Sequence, residues 1–79
     1  MNKRILIIDD DFDMCALLSR FLEKKGYATE VAHNGTKGIA KFNEIHFDIV
    51  LCDFRLRDKD GKDVLLEIKE GKPKTIVII

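Results

Sequence analysis

The feature that most constrains this chain is a repeated switch between two apolar patterns. Short runs rich in β-branched residues alternate with longer stretches whose apolar residues recur at three- and four-residue spacing. Ile5-Leu6-Ile7-Ile8 is unbroken, the pattern of a strand buried on both faces. Phe12 to Lys25 then reads as a helix, with Met14, Leu17, Leu18, Phe21 and Leu22 on its apolar side and Arg20, Glu23 and Lys24 opposite. Gly26 after Lys24-Lys25 is a helix stop with cations in the last turn. Tyr27 to Ala32 is a second strand, Asn34-Gly35 a turn or helix entry, and Thr36 to Glu44 a second helix with Ile39, Ala40 and Phe42 inward. Phe47 to Cys52 is a third strand, built on Ile49-Val50-Leu51. A polar loop, Arg55 to Gly61, leads to a third helix over Lys62 to Glu70 with Val64, Leu65 and Ile68 on its apolar side. Gly71-Lys72-Pro73 breaks that helix, and Thr75 to Ile79 is a fourth strand.

Strands alternating with helices in this way imply a parallel sheet with right-handed crossovers, an α/β fold. The chain has 79 residues, which is room for one small domain with a marginal core. No internal repeat or linker divides it. The apolar run Ile76–Ile79 would be an exposed sheet edge, which natural proteins avoid. The expectation is therefore a domain truncated at its C-terminal side.

Charge and hydropathy exclude several classes. Lys and Arg number 14 against 14 Asp and Glu, without the basic excess of a nucleic-acid-binding module. Apolar runs such as Ile5–Ile8 fall far short of the ~20 residues of a membrane-spanning helix. Met1-Asn2-Lys3-Arg4 is basic, but acidic Asp9 ends the apolar run that follows, so this is no signal peptide. Cys15 and Cys52 form neither a disulfide framework nor a metal-spaced pair; they read as two buried thiols in a reducing, cytoplasmic compartment.

The chemistry lies in the carboxylates. Asp9, Asp10 and Asp11 directly follow the first strand and Asp53 directly follows the third. Strand C-termini of a doubly wound sheet share one edge, where ligands bind. If the first and third strands are neighbours, Asp9 and Asp10 meet Asp53 there. Such a cluster is unfavourable unless protonated, hydrated or neutralised. A hard divalent cation, Mg²⁺, neutralises it and leaves a coordination position for a phosphate oxygen. A carboxylate held beside that oxygen can attack phosphorus in line and form an aspartyl phosphate. Asp53 suits that role, because the pair after the first strand is needed for the metal. Solvated loop carboxylates are the simpler reading of the same spacing, and spacing alone leaves both open.

At these residues the chain resembles the receiver domain of two-component response regulators. The resemblance is carried by Ile5-Leu6-Ile7-Ile8-Asp9-Asp10-Asp11, Gly26-Tyr27, Ala32-His33-Asn34-Gly35, Asp48-Ile49-Val50-Leu51-Cys52-Asp53, Asp60-Gly61 and Val77-Ile78-Ile79. It implies a flavodoxin-like doubly wound parallel sheet with strand order 2-1-3-4, lacking the last helix-strand-helix unit, so that residues 1–79 are the N-terminal two-thirds of a receiver domain. It implies Asp53 as phosphoacceptor, and Mg²⁺ held by Asp9, Asp10, Asp53 and the backbone carbonyl of Arg55. Asp60-Gly61 and Asn34-Gly35 then have structural roles. A sensor histidine kinase is the implied phosphoryl donor. The implied role is a phosphorelay module, not a conventional enzyme, that regulates an output, with Asp53-Phe54-Arg55-Leu56 similar to receivers of transcription activators. The output domain is not among these residues, and neither direct nucleic-acid nor membrane binding is expected.

The chain also departs from the family pattern. Arg57 stands where the family usually has proline, which predicts a more mobile loop. The Thr or Ser after the fourth strand and the Lys after a fifth are not present. Lys74 and Thr75 precede the fourth strand, at the wrong end of the sheet, and cannot replace them. Without the missing pair, phosphorylation should be slow and poorly coupled to a change of shape.

Two rival functions remain. One is a receiver-like binding module that is not phosphorylated and completes its sheet by homodimerisation through the fourth strand. The other is a metal-dependent phosphatase using Asp9 as nucleophile in an Asp-x-Asp spacing with Asp11, although Asp53 stands where such enzymes carry Ser or Thr. Of the remaining polar residues, Asp11 reads as solvated or as touching the metal through water, and Asp13 as a cap or first-turn carboxylate of the first helix. His33 and His46 lack a ligand set, so His33 is at most a loop hydrogen-bonder. Lys3-Arg4 and Lys24-Lys25 read as solvated pairs. Cys52, beside Asp53, points to the opposite face of its strand, into the core.

Overall fold

A computed structural model describes residues 3–79; Met1 and Asn2 of the basic opening lie outside the described residues. Four strands and three helices alternate: β1 (Arg4–Ile8), α1 (Phe12–Lys24), β2 (Ala28–Ala32), α2 (Gly35–Glu44), β3 (Ile49–Cys52), α3 (Gly61–Gly71) and β4 (Ile76–Ile78). The strands are all parallel and lie in the order β2-β1-β3-β4. The sheet is the flavodoxin-like arrangement implied by the sequence. The register pairs Ile8 of β1 with Ala32 on one side and with Cys52 on the other. That pairing decides what meets at the C-terminal edge.

Strand alternation splits the core in two. Leu6 and Ile8 face α2 and α3, joining Phe42, Phe47, Val50, Cys52, Val64 and Ile68. Ile5 and Ile7 face the other way and pack with Cys15 of α1, backed by Leu18 and Leu22. The two thiols thus sit in different clusters on opposite sides of the sheet, free and buried.

The apolar stripe of α1 is only partly covered, and one inward expectation for α2 is corrected. Met14, Leu17 and Phe21 of α1 are exposed, at 43%, 63% and 55%. The stripe that touches the sheet is Cys15, Leu18 and Leu22, and α1 packs with β1 and β2, so a single sheet contact covers only part of its wide apolar arc. Ala40 of α2 is also exposed. The contact side of α2 runs through Gly35, Gly38 and Phe42, and a residue two positions from Gly38 lies about 200° around the helix.

Local signals explain the helix ends. Asp11, not Asp13, is the N-cap of α1: its backbone is extended, at φ −86° and ψ 104°, and its carboxylate accepts the Met14 N–H at 3.0 Å. Asp13 lies one step inside, in the first turn, where its charge opposes the helix dipole's positive end. Gly26 closes α1 at φ 97°, a conformation that costs other residues a Cβ clash. Asn34 caps α2 by accepting the Lys37 N–H at 2.8 Å.

Candidate functional site

The ladder carries the first carboxylates into place. Asp9 continues the β1–β2 pairing by donating its N–H to the Ala32 carbonyl at 3.0 Å. Asp53 does the same on the other side, donating to the Ile8 carbonyl at 2.8 Å. Both side chains therefore leave rigid strand ends at neighbouring positions. Asp9 Oδ1 accepts the Asp11 N–H at 3.0 Å, which turns the chain and brings Asp10 beside them. Asp9, Asp10 and Asp53 are half-buried, and one carboxylate oxygen of each lies within 4.8 Å of the other two.

The donor set is oxygen alone, the chemistry preferred by Mg²⁺ and Ca²⁺. Three half-buried carboxylates at this separation repel one another, and a divalent cation between them removes the repulsion. The residues fit such an ion. Asp11 is not one of the cluster, since its carboxylate is occupied as the α1 cap. Arg55 lies two residues beyond Asp53, exposed, and is bridged to Asp60 across the loop.

The surroundings hold the cluster still. The Asp9 carbonyl accepts from the Cys15 thiol at 3.4 Å and from His33 Nδ1 at 3.1 Å, and the His33 ring stacks on Phe12 with centroids 3.7 Å apart. His33 is thus the loop hydrogen-bonder expected of it. Gly61 donates its N–H to the Phe54 carbonyl at 2.7 Å, and a Cβ there would fall 2.7 Å from the Asp53 carbonyl oxygen. Only glycine lets α3 start this close to the acceptor strand. Burial, with Asp53 and Asp9 nearby, pushes the Cys52 thiol up to about 11; Cys15 is likewise raised, mainly by burial. Neither is a thiolate nucleophile at neutral pH.

Two residues of the loop between β3 and α3 show contacts that spacing did not reveal. Arg57 places Nε 3.7 Å from Asp10 Oδ2 while its side chain stays 89% exposed, a weak screened pair. Asp58 accepts from the Gly35 N–H at 2.8 Å, the Thr36 N–H at 2.7 Å and the Thr36 hydroxyl at 2.6 Å. The Thr36 hydroxyl, with both N–H groups, holds the Asp58 carboxyl down to about 2. A loop aspartate reads as solvated in a sequence, because its partners lie 22 and 23 residues away.

A shallow hollow of about 170 Å³ adjoins Asp9 and Asp53, floored by Ile7, Leu18, Leu51 and Ile78. A larger cleft, about 520 Å³, opens at the opposite sheet edge and includes Lys3, His46, Lys74 and Thr75. Lys74 and Thr75 are thus remote from the carboxylates, as expected. Among the described residues no helix is long and apolar enough to cross a membrane.

Comparison with known proteins agrees with this geometry. Residues 5–79 match the family described as response regulator receiver domain. The chain is 41% identical over 75 residues to the transcriptional regulatory protein ZraR of Klebsiella oxytoca, an alignment covering 95% of this chain and 17% of that protein. It therefore spans about a sixth of the length of that curated relative. Among solved structures it is similar to the response regulator protein TrrA of Thermotoga maritima in complex with Mg²⁺-BeF, with TM-score 0.93 and 32% identity over 98% of this chain and 67% of that one. It is also similar to a structure of the histidine kinase ThkA in complex with TrrA, with TM-score 0.89 and 32% identity, covering 95% of this chain and 65% of that one.

Proposed function

The chain belongs to the response regulator receiver domain family of two-component systems, and on that premise we propose that Asp53 accepts a phosphoryl group from a partner histidine kinase. The observation that carries this reading is the convergence of Asp9, Asp10 and Asp53 at the ends of two adjacent strands. Asp9, Asp10, Asp53 and the Arg55 carbonyl hold Mg²⁺ in this reading. When bound, Mg²⁺ offsets the negative charge of the carboxylates and of the incoming phosphoryl oxygens. The chain's own residues do the rest. Asp53 presents a carboxylate oxygen from a fixed strand end. That oxygen forms the new O–P bond as the donor's P–N bond breaks, and the electron pair leaves with the imidazole nitrogen, which takes a proton. Positioning and charge supply most of the rate in such a transfer.

The kinase as partner is supported by the TrrA complex with ThkA, and a transcriptional output by the name of ZraR. Both concern proteins longer than this chain. We read residues 1–79 as the N-terminal two-thirds of one receiver domain working in the cytoplasm. The coverage of the TrrA chain supports the first part, and the two free buried thiols the second.

The test is intact mass after incubation with a small phosphodonor, with and without Mg²⁺, for the wild type and Asp53→Asn. The expected result is a Mg²⁺-dependent gain of one phosphoryl mass that the variant lacks. A gain that survives in Asp53→Asn overturns the assignment, and a gain lost in Asp9→Asn but kept in Asp53→Asn would instead favour a phosphatase-like nucleophile.

A further inference from the structure

Resting on the reading just given, we propose that Asp58 is a positioning residue for the acceptor site: its carboxylate ties the β3–α3 loop to the first turn of α2 and so, together with the buried Leu56, fixes where Arg55 to Arg57 lie beside the acidic cluster. The tie consists of three hydrogen bonds of 2.6 to 2.8 Å onto Gly35 and Thr36. The helix start does not need it for a cap, because Asn34 already accepts the Lys37 N–H and water can serve exposed N–H groups. The loop does need it. The loop is closed at its base by the Gly61 N–H on the Phe54 carbonyl and by the Arg55–Asp60 bridge, and Leu56 anchors it in the core, but none of these holds the exposed residues Arg57 and Asp58 beyond it.

At the tip, three consecutive residues reach three different elements. Arg57 approaches Asp10 after β1, Asp58 grips α2, and Lys59 pairs with Glu67 of α3 at 3.3 Å. The Lys59 methylenes also lie flush on Gly35, where a Cβ would meet them. Thr36 and the two amides keep the Asp58 carboxyl ionised well below neutral pH, so under ordinary conditions it stays in the charged form that accepts all three bonds. A loop ordered before the cation arrives need not be ordered by it, and that saved entropy appears as affinity. Partners that orient metal ligands usually matter 10- to 100-fold. Asp58 acts one step further out, through the backbone, so about three- to tenfold is expected on the same scale.

The experiment is an Mg²⁺ titration followed by amide NMR shifts at residues 9–11 and 53, with hydrogen exchange of residues 57–60 recorded without metal. Wild type, Asp58→Ala, Thr36→Val and Asn34→Ala are compared. Asp58→Ala should need about three- to tenfold more Mg²⁺ and show faster loop exchange, while phosphorylation at saturating Mg²⁺ returns to the wild-type rate. Thr36→Val, which keeps the fold and removes only the hydroxyl bond, should shift both readings in the same direction by less. It decides the matter if Asp58→Ala does not fold. Asn34→Ala removes the other cap of the same helix and should leave Mg²⁺ affinity unchanged. Equal affinities in wild type and the Asp58 and Thr36 variants overturn the proposal. So does an Asn34→Ala loss as large as that of Asp58→Ala, since the effect would then be helix stability alone. A wild type that does not respond to Mg²⁺ fails the function reading itself.

Discussion

At the scale of single residues, the site is decided by what sits one position beyond each strand. Asp9 and Asp53 are neighbours only because Ile8 pairs with Cys52; a one-residue slip would send either carboxylate to the other face. Gly61 is the least replaceable residue near them. A methyl group there meets backbone, the Asp53 carbonyl oxygen at 2.7 Å and Phe54 Cα at 2.9 Å, and backbone cannot rotate aside. Gly61→Ala should cost about 1–3 kcal/mol in urea unfolding and slow phosphorylation of Asp53 together. Wild-type stability and rate in that variant would show that the loop yields freely. His33 and Cys15 share the Asp9 carbonyl, so neither is the orphan polar group that a histidine or thiol outside a ligand set suggests.

At the scale of elements, the starts of the helices carry the sequence signals and one remote contact. Asp11 and Asn34 cap α1 and α2 locally, within three residues, as short-range chemistry predicts. Asp58 adds an anion to the α2 N-terminus from a distant loop. Its carboxyl is depressed from 3.8 to about 2 in the folded chain. The unfolded state therefore binds the proton first as pH falls, and the stabilisation is present above the unfolded value and lost downward through the folded one. The gap in thermal midpoint between wild type and Asp58→Asn should accordingly be full at pH 5 and close as pH falls from about 4 to about 2. A gap unchanged across that range would mean that the charge contributes nothing.

At the scale of the whole molecule, the sheet is covered unevenly. Among the described residues, helices α2 and α3 shield one face, whereas α1 lies on the other and packs chiefly with β2 and β1. At the far edge, Ile76 and Ile78 of β4 are 56% and 53% exposed. If these residues act by the second reading, as a module that pairs with a copy of itself, β4 is the edge that would be shared. A two-fold axis would set β4 antiparallel to its counterpart, each edge satisfying the other. Sedimentation over a range of concentrations should then show a dimer that Ile78→Lys abolishes, with monomer stability changed by no more than about 0.5 kcal/mol. A wild type that stays monomeric throughout sinks that reading and leaves the phosphoacceptor reading untouched.

The sequence by itself determined the order and type of the seven elements, because unbroken runs such as Ile5–Ile8 and the stripe through Val64, Leu65 and Ile68 are short-range periodicities. It also marked Asp9, Asp10 and Asp53, since carboxylates at strand ends of a parallel sheet share one edge. Tertiary structure alone decided that Leu17, Phe21 and Ala40 face outward, because the width of an apolar stripe does not say how much of it a neighbour covers. It alone joined Asp58 to Thr36 and Arg57 to Asp10. Those contacts link residues far apart along the chain, and no local periodicity carries information about a partner that only the folded sheet brings near.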